Sequence, residues 1–250
     1  MRKYHIRPIT LCKVFRSEAV WTYRLNFEQT VESCINVWYI EGSEPKILVD
    51  AGGTAEMAAA YSLQGQTHPM KDVQSLESGL ARVGLKPEDI EIVILTHLHW
   101  DHVGLAHKFT NAEFIVQKAE LDFARNPHPA SAMTGDYDNK IFNDLEFRVI
   151  EGDMDVIDGV RVLFTPGHSP GGQSVAVDTP KGVAIITGFC STPANFDPPS
   201  KLKDKGFPVI TPGLHIDIRQ AYDSILRVKQ TADIILPLHK CSFIDKDRIP

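Results

Sequence analysis

The heptapeptide THLHWDH, residues 96–102, limits what this chain can fold into more than any other stretch. It follows an apolar run, residues 90–95, that reads as a short buried strand. Alternate residues of an extended chain share a face, so His97 and His99 project together. Asp101 and His102 come next, at the turn that must end the strand. Three imidazoles and a carboxylate within six residues suit a borderline cation such as Zn²⁺, whose usual ligands are His, Asp and Cys. At this chain's His and Asp content, an HxHxDH pattern arises by accident in about one sequence in a thousand. A polar turn with solvated histidines is the plain alternative, but it does not account for the strand placed directly ahead.

Other apolar runs end in the same way. VLFTPGHSPG passes from residues 162–164 through Pro166 and Gly167 to His168, and DIILPLHK passes from Ile234–Leu236 through Pro237 to His239. In IITGFCS, residues 185–191, the run 183–186 reaches Thr187 and Gly188, then Phe189 and Cys190. Each residue alone is ordinary, since a single His is commonly a hydrogen-bonded surface group and a free Cys a small buried hydrophobe. Together they occupy the same place relative to their strands, where α/β architectures gather functional groups. His5, His68, His107, His128 and His215 follow no such strand and are assigned no ligand role.

At 250 residues the chain can bury one large core, and residues 1–250 read as a single domain. Strands are expected at 46–49, 90–95, 113–116, Val160–Phe164, 174–177, 183–186 and 233–236, each closing on a turn signal. Between them, Asp72 can cap a helix in which Val73, Leu76, Leu80 and Val83 share a face before Gly84 and Pro87 stop it. Ile218, Tyr222, Ile225 and Leu226 form a second amphipathic stripe. Strands and helices persist to the end, giving a mixed α/β (α+β) chain in several layers. Residues 119–148 and the proline-rich 192–213 read as long irregular connections, either binding loops or surface insertions.

The surface carries a net charge of −6 and no Lys/Arg run, which argues against nucleic acid or an anionic membrane and favours a small-molecule substrate. No stretch approaches the ~20 apolar residues that span a bilayer. The opening MRKYHIRPITLCKVF lacks a continuous apolar segment, so no secretory signal is expected. Cys12, Cys34, Cys190 and Cys241 are widely spaced with no CxxC. In a chain read as cytoplasmic, that pattern predicts free thiols or a metal ligand rather than disulfides.

With these residues placed, the chain resembles a metallo-β-lactamase-superfamily hydrolase over nearly all its length. The matching segments are ILVDAGG (47–53), THLHWDH, TPGHSPGG (165–172), the strand ending at Thr187 and Gly188, and LPLHK (236–240). Spacing and length are most similar to the N-acyl-homoserine lactonase branch, as is residues 212–239. The resemblance implies a four-layer αββα metallo-β-lactamase sandwich with its site at one edge. It implies two metal ions, read as Zn²⁺: His97, His99 and His168 on one, and Asp101, His102 and His239 on the other. Asp50 would orient ligand histidines from behind, as outer carboxylates commonly do. Homodimers are frequent in that family, so a homodimer is a further expectation.

Two departures stand out. The lactonase branch places an Asp after the strand's Gly to bridge both metals; here Phe189 stands in that position and Cys190 follows. True β-lactamases with an Asp, Cys and His second site resemble this arrangement, so Cys190 is read as a thiolate ligand, which favours zinc. Ser191, Thr192 and Pro193 occupy the region where the branch often has a Tyr, and Leu238 replaces a Gly before the last His. The function that follows is zinc-dependent hydrolysis of an ester, foremost a lactone, through a metal-activated hydroxide. Asp101 would be the catalytic carboxylate, holding the nucleophile and passing a proton to the leaving alkoxide. A thioester hydrolase, an amide or β-lactam hydrolase, and a metal- or ligand-binding protein without turnover are the alternatives.

Overall fold

The computed structural model describes residues 2–61, 70–132 and 135–250. Twelve strands occur among them: β1 His5–Ser17, β2 Thr30–Glu41, β3 Ile47–Val49, β4 Met70–Asp72, β5 Ile92–Ile94 and β6 Glu113–Gln117, then β7 Phe147–Ile150, β8 Met154–Ile157, β9 Val160–Phe164, β10 Gln173–Thr179, β11 Gly182–Ile186 and β12 Ile234–Leu236. They form a seven-stranded sheet ordered β4-β1-β2-β3-β5-β6-β7 and a five-stranded sheet ordered β12-β11-β10-β9-β8.

Side-chain alternation decides which layer each strand fills. In β5, Ile92 and Ile94 enter the core between the sheets, while Val93 enters the outer core. In β10, Val175 and Val177 face inward and Ala176 faces out. Inner residues Trp38, Val49, Ile94 and Ile115 of one sheet meet Val162, Val175, Ile186 and Leu236 of the other. Outside the first sheet lie Leu76, Leu80, Val103 and Leu121; outside the second lie Ile225 and Val228 of the helix Ile218–Thr231. The result is the αββα sandwich, with both sheets buried on two faces, which is why their central strands read as unbroken apolar runs. No helix of the described residues is long and apolar enough to cross a membrane.

Several local expectations are corrected. The helix expected to start at Asp72 is Leu76–Ala81, capped by Ser75, whose hydroxyl accepts from Ser78 N at 3.1 Å. Asp72 instead ends β4, and its carboxylate accepts from Ala55 N at 2.9 Å. Val73 is consequently exposed, as is Ile218 at the start of the C-terminal helix. Residues 119–148 are largely built of short elements: Lys118–Arg125, Pro129–Ala132, Asn139–Phe142 and β7. Within 192–213 lie Pro193–Phe196 and Ser200–Lys203. The long β1–β2 hairpin was not anticipated; its strands mix charged and apolar residues and change register at a bulge between Thr10 and Cys12. His68 lies outside the described residues.

The cysteine expectation fails for two of the four. Cys34 and Cys241 form a disulfide, 207 residues apart in sequence, while Cys12 and Cys190 are free and buried. The pairing follows from topology: β2 runs beside the turn after β12, where Cys34 N donates to the His239 carbonyl at 2.9 Å.

Candidate metal centre

Three strand tips converge on one edge of the sandwich. After β5, the chain passes through Leu95 and Thr96 to His97; His99 then precedes the short helix Trp100–Val103, which carries Asp101 and His102. Gly167, with φ of +119°, lets the loop after β9 press against the helix Ile218–Thr231; a Cβ there would lie 2.1 Å from Ala221 N. That close approach sets His168. The parallel pairing of β11 with β12 brings the Thr187 turn beside the segment ending in His239, and Leu238 N donates to Thr187 Oγ1 at 3.0 Å.

The convergence yields two groups. His97, His99 and His168 offer ligand atoms within 4.8 Å of one another, and Asp101, His102 and His239 do the same. The groups abut, with the His97 and His102 rings 4.0 Å apart between centroids. Hydrogen bonds fix the tautomers. Thr96 Oγ1 donates to Asp50 Oδ2 at 2.9 Å, so its oxygen accepts from His97 Nδ1 at 3.1 Å. His97 Nε2 is then a bare acceptor, and it is buried with no partner. His168 Nδ1 donates to the Leu214 carbonyl at 2.8 Å, and His239 Nδ1 to the Cys34 carbonyl at 3.0 Å. Each leaves its Nε2 lone pair available, the arrangement metal-ligating histidines show. A buried imidazole acceptor without a donor is costly unless something electrophilic meets it. The donor set of five histidines and one aspartate therefore fits divalent zinc.

Electrostatics agree with that fit for four of the five histidines, and His102 stands apart. Burial lowers His99, His168 and His239 to about 3, and holds His97 well below its usual value, so these rings are neutral, the ligand form. Burial pushes His102 the same way, but the Asp101 and Asp50 carboxylates together prevail and lift it to about 10. Asp101 runs opposite: burial would raise it, yet its neighbours, led by His102, hold it well below the carboxylate range.

Asp50 ties the two groups together. It stands at the end of β3 with φ of +60°, a conformation Asp tolerates better than most residues. Its carboxylate accepts from Thr96 N at 2.7 Å, from the Thr96 hydroxyl, and from His102 Nδ1 at 2.9 Å. Glu120, to which no motif or spacing points, is a second such clamp. It is fully buried; Oε1 accepts from Leu98 N at 2.9 Å and Tyr137 Oη at 3.1 Å, and Oε2 from Gly171 N at 3.0 Å. It thus joins the His97–His99 segment to the loop bearing His168.

Cys190 lies in neither three-residue group, but it lines the pocket formed by His99, Asp101, His102, His168 and His239. Burial pushes its thiol well above the usual range, with Arg16 acting in the opposite sense. Phe189 turns away, packing with Phe196 and Val209 beneath the outer face of the second sheet. A larger cavity of about 460 Å³ adjoins His99 and His168, with Phe123, Tyr137 and Ile216 among its walls.

Residues 34–231 match the model of the metallo-beta-lactamase superfamily. An N-acyl homoserine lactonase of Bacillus cereus is 34% identical over 211 residues, 79% of each chain. Another from Bacillus thuringiensis is 36% identical over 159 residues, 60% of this chain and 61% of its own. The solved structure of an N-acyl homoserine lactone hydrolase, with the product N-hexanoyl-L-homoserine at its catalytic metal centre, superposes with a TM-score of 0.76 at 28% identity, covering 97% of this chain and 95% of that one. AidC, a dizinc quorum-quenching lactonase, shares the fold with a TM-score of 0.61 at 17% identity, covering 91% and 83%. From its strand-tip histidines to its full-length likeness to these proteins, the chain belongs to the metallo-beta-lactamase superfamily, in its N-acyl homoserine lactonase branch.

Proposed function

We propose that this protein is a dinuclear zinc hydrolase that opens the ester bond of a lactone, residues 1–250 acting as one domain. The observation that carries the reading is the pair of abutting ligand groups, bound behind by one shared carboxylate, Asp50. His97, His99 and His168 would hold one ion; Asp101, His102 and His239 the other, with Cys190 added as a thiolate on the second. Zinc supplies Lewis acidity, which acidifies water and polarises a carbonyl oxygen. The protein's part is positional and protic. The Thr96, Leu214 and Cys34 oxygens hold the His97, His168 and His239 rings in one tautomer. Asp101 Oδ2 lies 3.3 Å from His102 Nε2, and its other oxygen, Oδ1, is the atom assigned to orient the attacking water and carry a proton to the leaving alkoxide. The adjoining cavity would receive the rest of the substrate.

Elemental analysis of purified protein should find two zinc ions per chain, and a panel of N-acyl homoserine lactones, thioesters and β-lactams should show turnover on the lactones. Asp101→Asn should lower kcat at least about a thousandfold while the fold, by circular dichroism, persists. Metal-replete protein idle on every lactone would refute the reading. Within it, the chain works in the cytoplasm as a homodimer on a small-molecule substrate. Disulfides are uncommon there, so alkylation of Cys34 and Cys241 in denatured fresh lysate tests the compartment, and light scattering tests the assembly.

A further inference from the structure

Part of the wall of the metal pocket comes from β1, β2 and the short helix between them. Arg16, near the end of β1, and Trp21, in the short helix Glu18–Trp21, both line the pocket that holds Asp101, His102, Cys190 and His239. Each keeps an N–H donor buried with no acceptor: Arg16 Nε and Trp21 Nε1. Arg16 makes no ion pair among the described residues. Trp21 is itself 2% exposed, its ring lies 4.8 Å from that of His239, and its carbonyl accepts from Asn195 Nδ2 at 2.7 Å, so it is fixed against a metal-ligand residue. Buried donors of this kind are normally satisfied, and unsatisfied ones call for an occupant.

The chemistry of that occupant is constrained. Both orphaned atoms are donors, so it is an acceptor. A guanidinium presents a planar fork that matches a carboxylate. Two divalent ions and the Arg16 guanidinium would bring five positive charges to the pocket against three negative ones on Asp101, Asp136 and a Cys190 thiolate, so an anion is favoured over a neutral acceptor. The pocket shared by Arg16 and the metal donors is narrow, about 30 Å³, and two ions would fill most of it, so the acceptor enters as a compact group from the adjoining cavity. It shares His99, Asp136, His168 and Leu214 with the 460 Å³ cavity, where a ring or acyl body would lie.

We propose that Arg16 and Trp21 form an anion subsite beside the metal ligands, and that among lactones the site prefers one bearing a carboxylate over an uncharged one. The inference rests on the lactone-hydrolysing reading above. It assigns Arg16 as the specificity-determining residue and Trp21 Nε1 as a supporting donor.

The test uses zinc-loaded protein and two matched probes, γ-butyrolactone-3-carboxylate and its uncharged carboxamide. Wild type should favour the carboxylate at least tenfold in kcat/KM. In Arg16→Met the loss on the carboxylate should exceed the loss on the carboxamide at least tenfold, with zinc content equal to wild type. Arg16→Lys should keep part of the preference, and Trp21→Phe, which removes only the N–H, should reduce it about threefold. Hydrolysis of both probes without a preference, equal losses on both in Arg16→Met, or loss of zinc from that variant would overturn the subsite and leave the lactonase reading intact. Hydrolysis of neither probe nor of any other lactone by the wild type would remove the lactonase reading, and the subsite with it.

Discussion

The segments that carry the first group are clamped by buried side-chain oxygens, whereas the segment that carries His239 in the second is held by backbone and a covalent bond, although the His168 and His239 rings both rest on backbone carbonyls. In the first group Thr96 Oγ1 accepts from His97 Nδ1, and the Glu120 carboxylate accepts from Leu98 N and Gly171 N. In the second, His239 rests on the Cys34 carbonyl, and Cys34 is bonded to Cys241 two residues beyond His239. The first group is complete with three imidazoles; the second has a carboxylate, two imidazoles and a neighbouring thiol outside the group. The contrast teaches that one pocket can be assembled by two routes, and that only Asp50 spans both.

Asp50→Asn should therefore have the largest effect on metal binding. Asn keeps an acceptor for Thr96 N and tolerates the positive φ, but its amide would face the Thr96 hydroxyl and His102 Nδ1–H. Both groups lose their backing, so zinc should fall below one ion per chain and kcat/KM by about a hundredfold. If elemental analysis instead finds the first group's ion retained, Thr96 alone suffices to seat His97, and the two groups are more independent than their shared carboxylate implies.

Glu120→Gln separates them. A Gln carbonyl at the Oε1 position still accepts from Leu98 N and Tyr137 Oη, while its amide meets Gly171 N–H and releases the His168 loop. Zinc at the first group should weaken about ten- to a hundredfold, with the second unaffected, measured by competition with a chelator. Equal weakening of both would mean that Glu120 supports the whole edge. Cys190→Ser is the mirror experiment: if the thiolate serves the second ion, stoichiometry should fall towards one zinc per chain, and an unchanged content would remove Cys190 from the ligand set.

How the two groups were read from sequence follows the same division. His97, His99, Asp101 and His102 are legible because one strand end and one turn carry all four within six residues. His168, Cys190 and His239 were found only by noticing that their strands end alike, a weaker signal that depended on the resemblance for its assignment. Glu120 has no such pattern; it is one acidic residue on the helix Lys118–Arg125, and its role arises from Leu98 and Gly171, which lie far from it in sequence. Arg16 and Trp21 were illegible for a related reason, since their hairpin was not anticipated as strand at all. Misplacing the helix cap at Asp72 had a local cause: Asp72 and Ser75 are both capping residues, and tertiary bonds to Ala55 and Cys12 claim the former. The short four-residue helices in 119–148 and 192–213 span barely one turn, too few residues for a period to register.

The smallest effect is expected from the disulfide, the pairing the cysteine spacing did not predict. Replacing Cys34 and Cys241 by Ala frees a loop of 207 residues, a change expected to cost about 2–4 kcal/mol of stability, equivalent to roughly 5–15 °C in Tm. Zinc binding should change less than about tenfold, because the contacts that seat His239 are backbone ones: its Nδ1 on the Cys34 carbonyl, and Cys34 N on its own carbonyl. Thermal melts of the zinc-loaded variant, set beside chelator titrations, read the two quantities separately. A stability loss with metal affinity kept would show the covalent link to be a staple on a strand pair already in register. The reverse, metal lost while Tm holds, would make the disulfide part of the metal site itself.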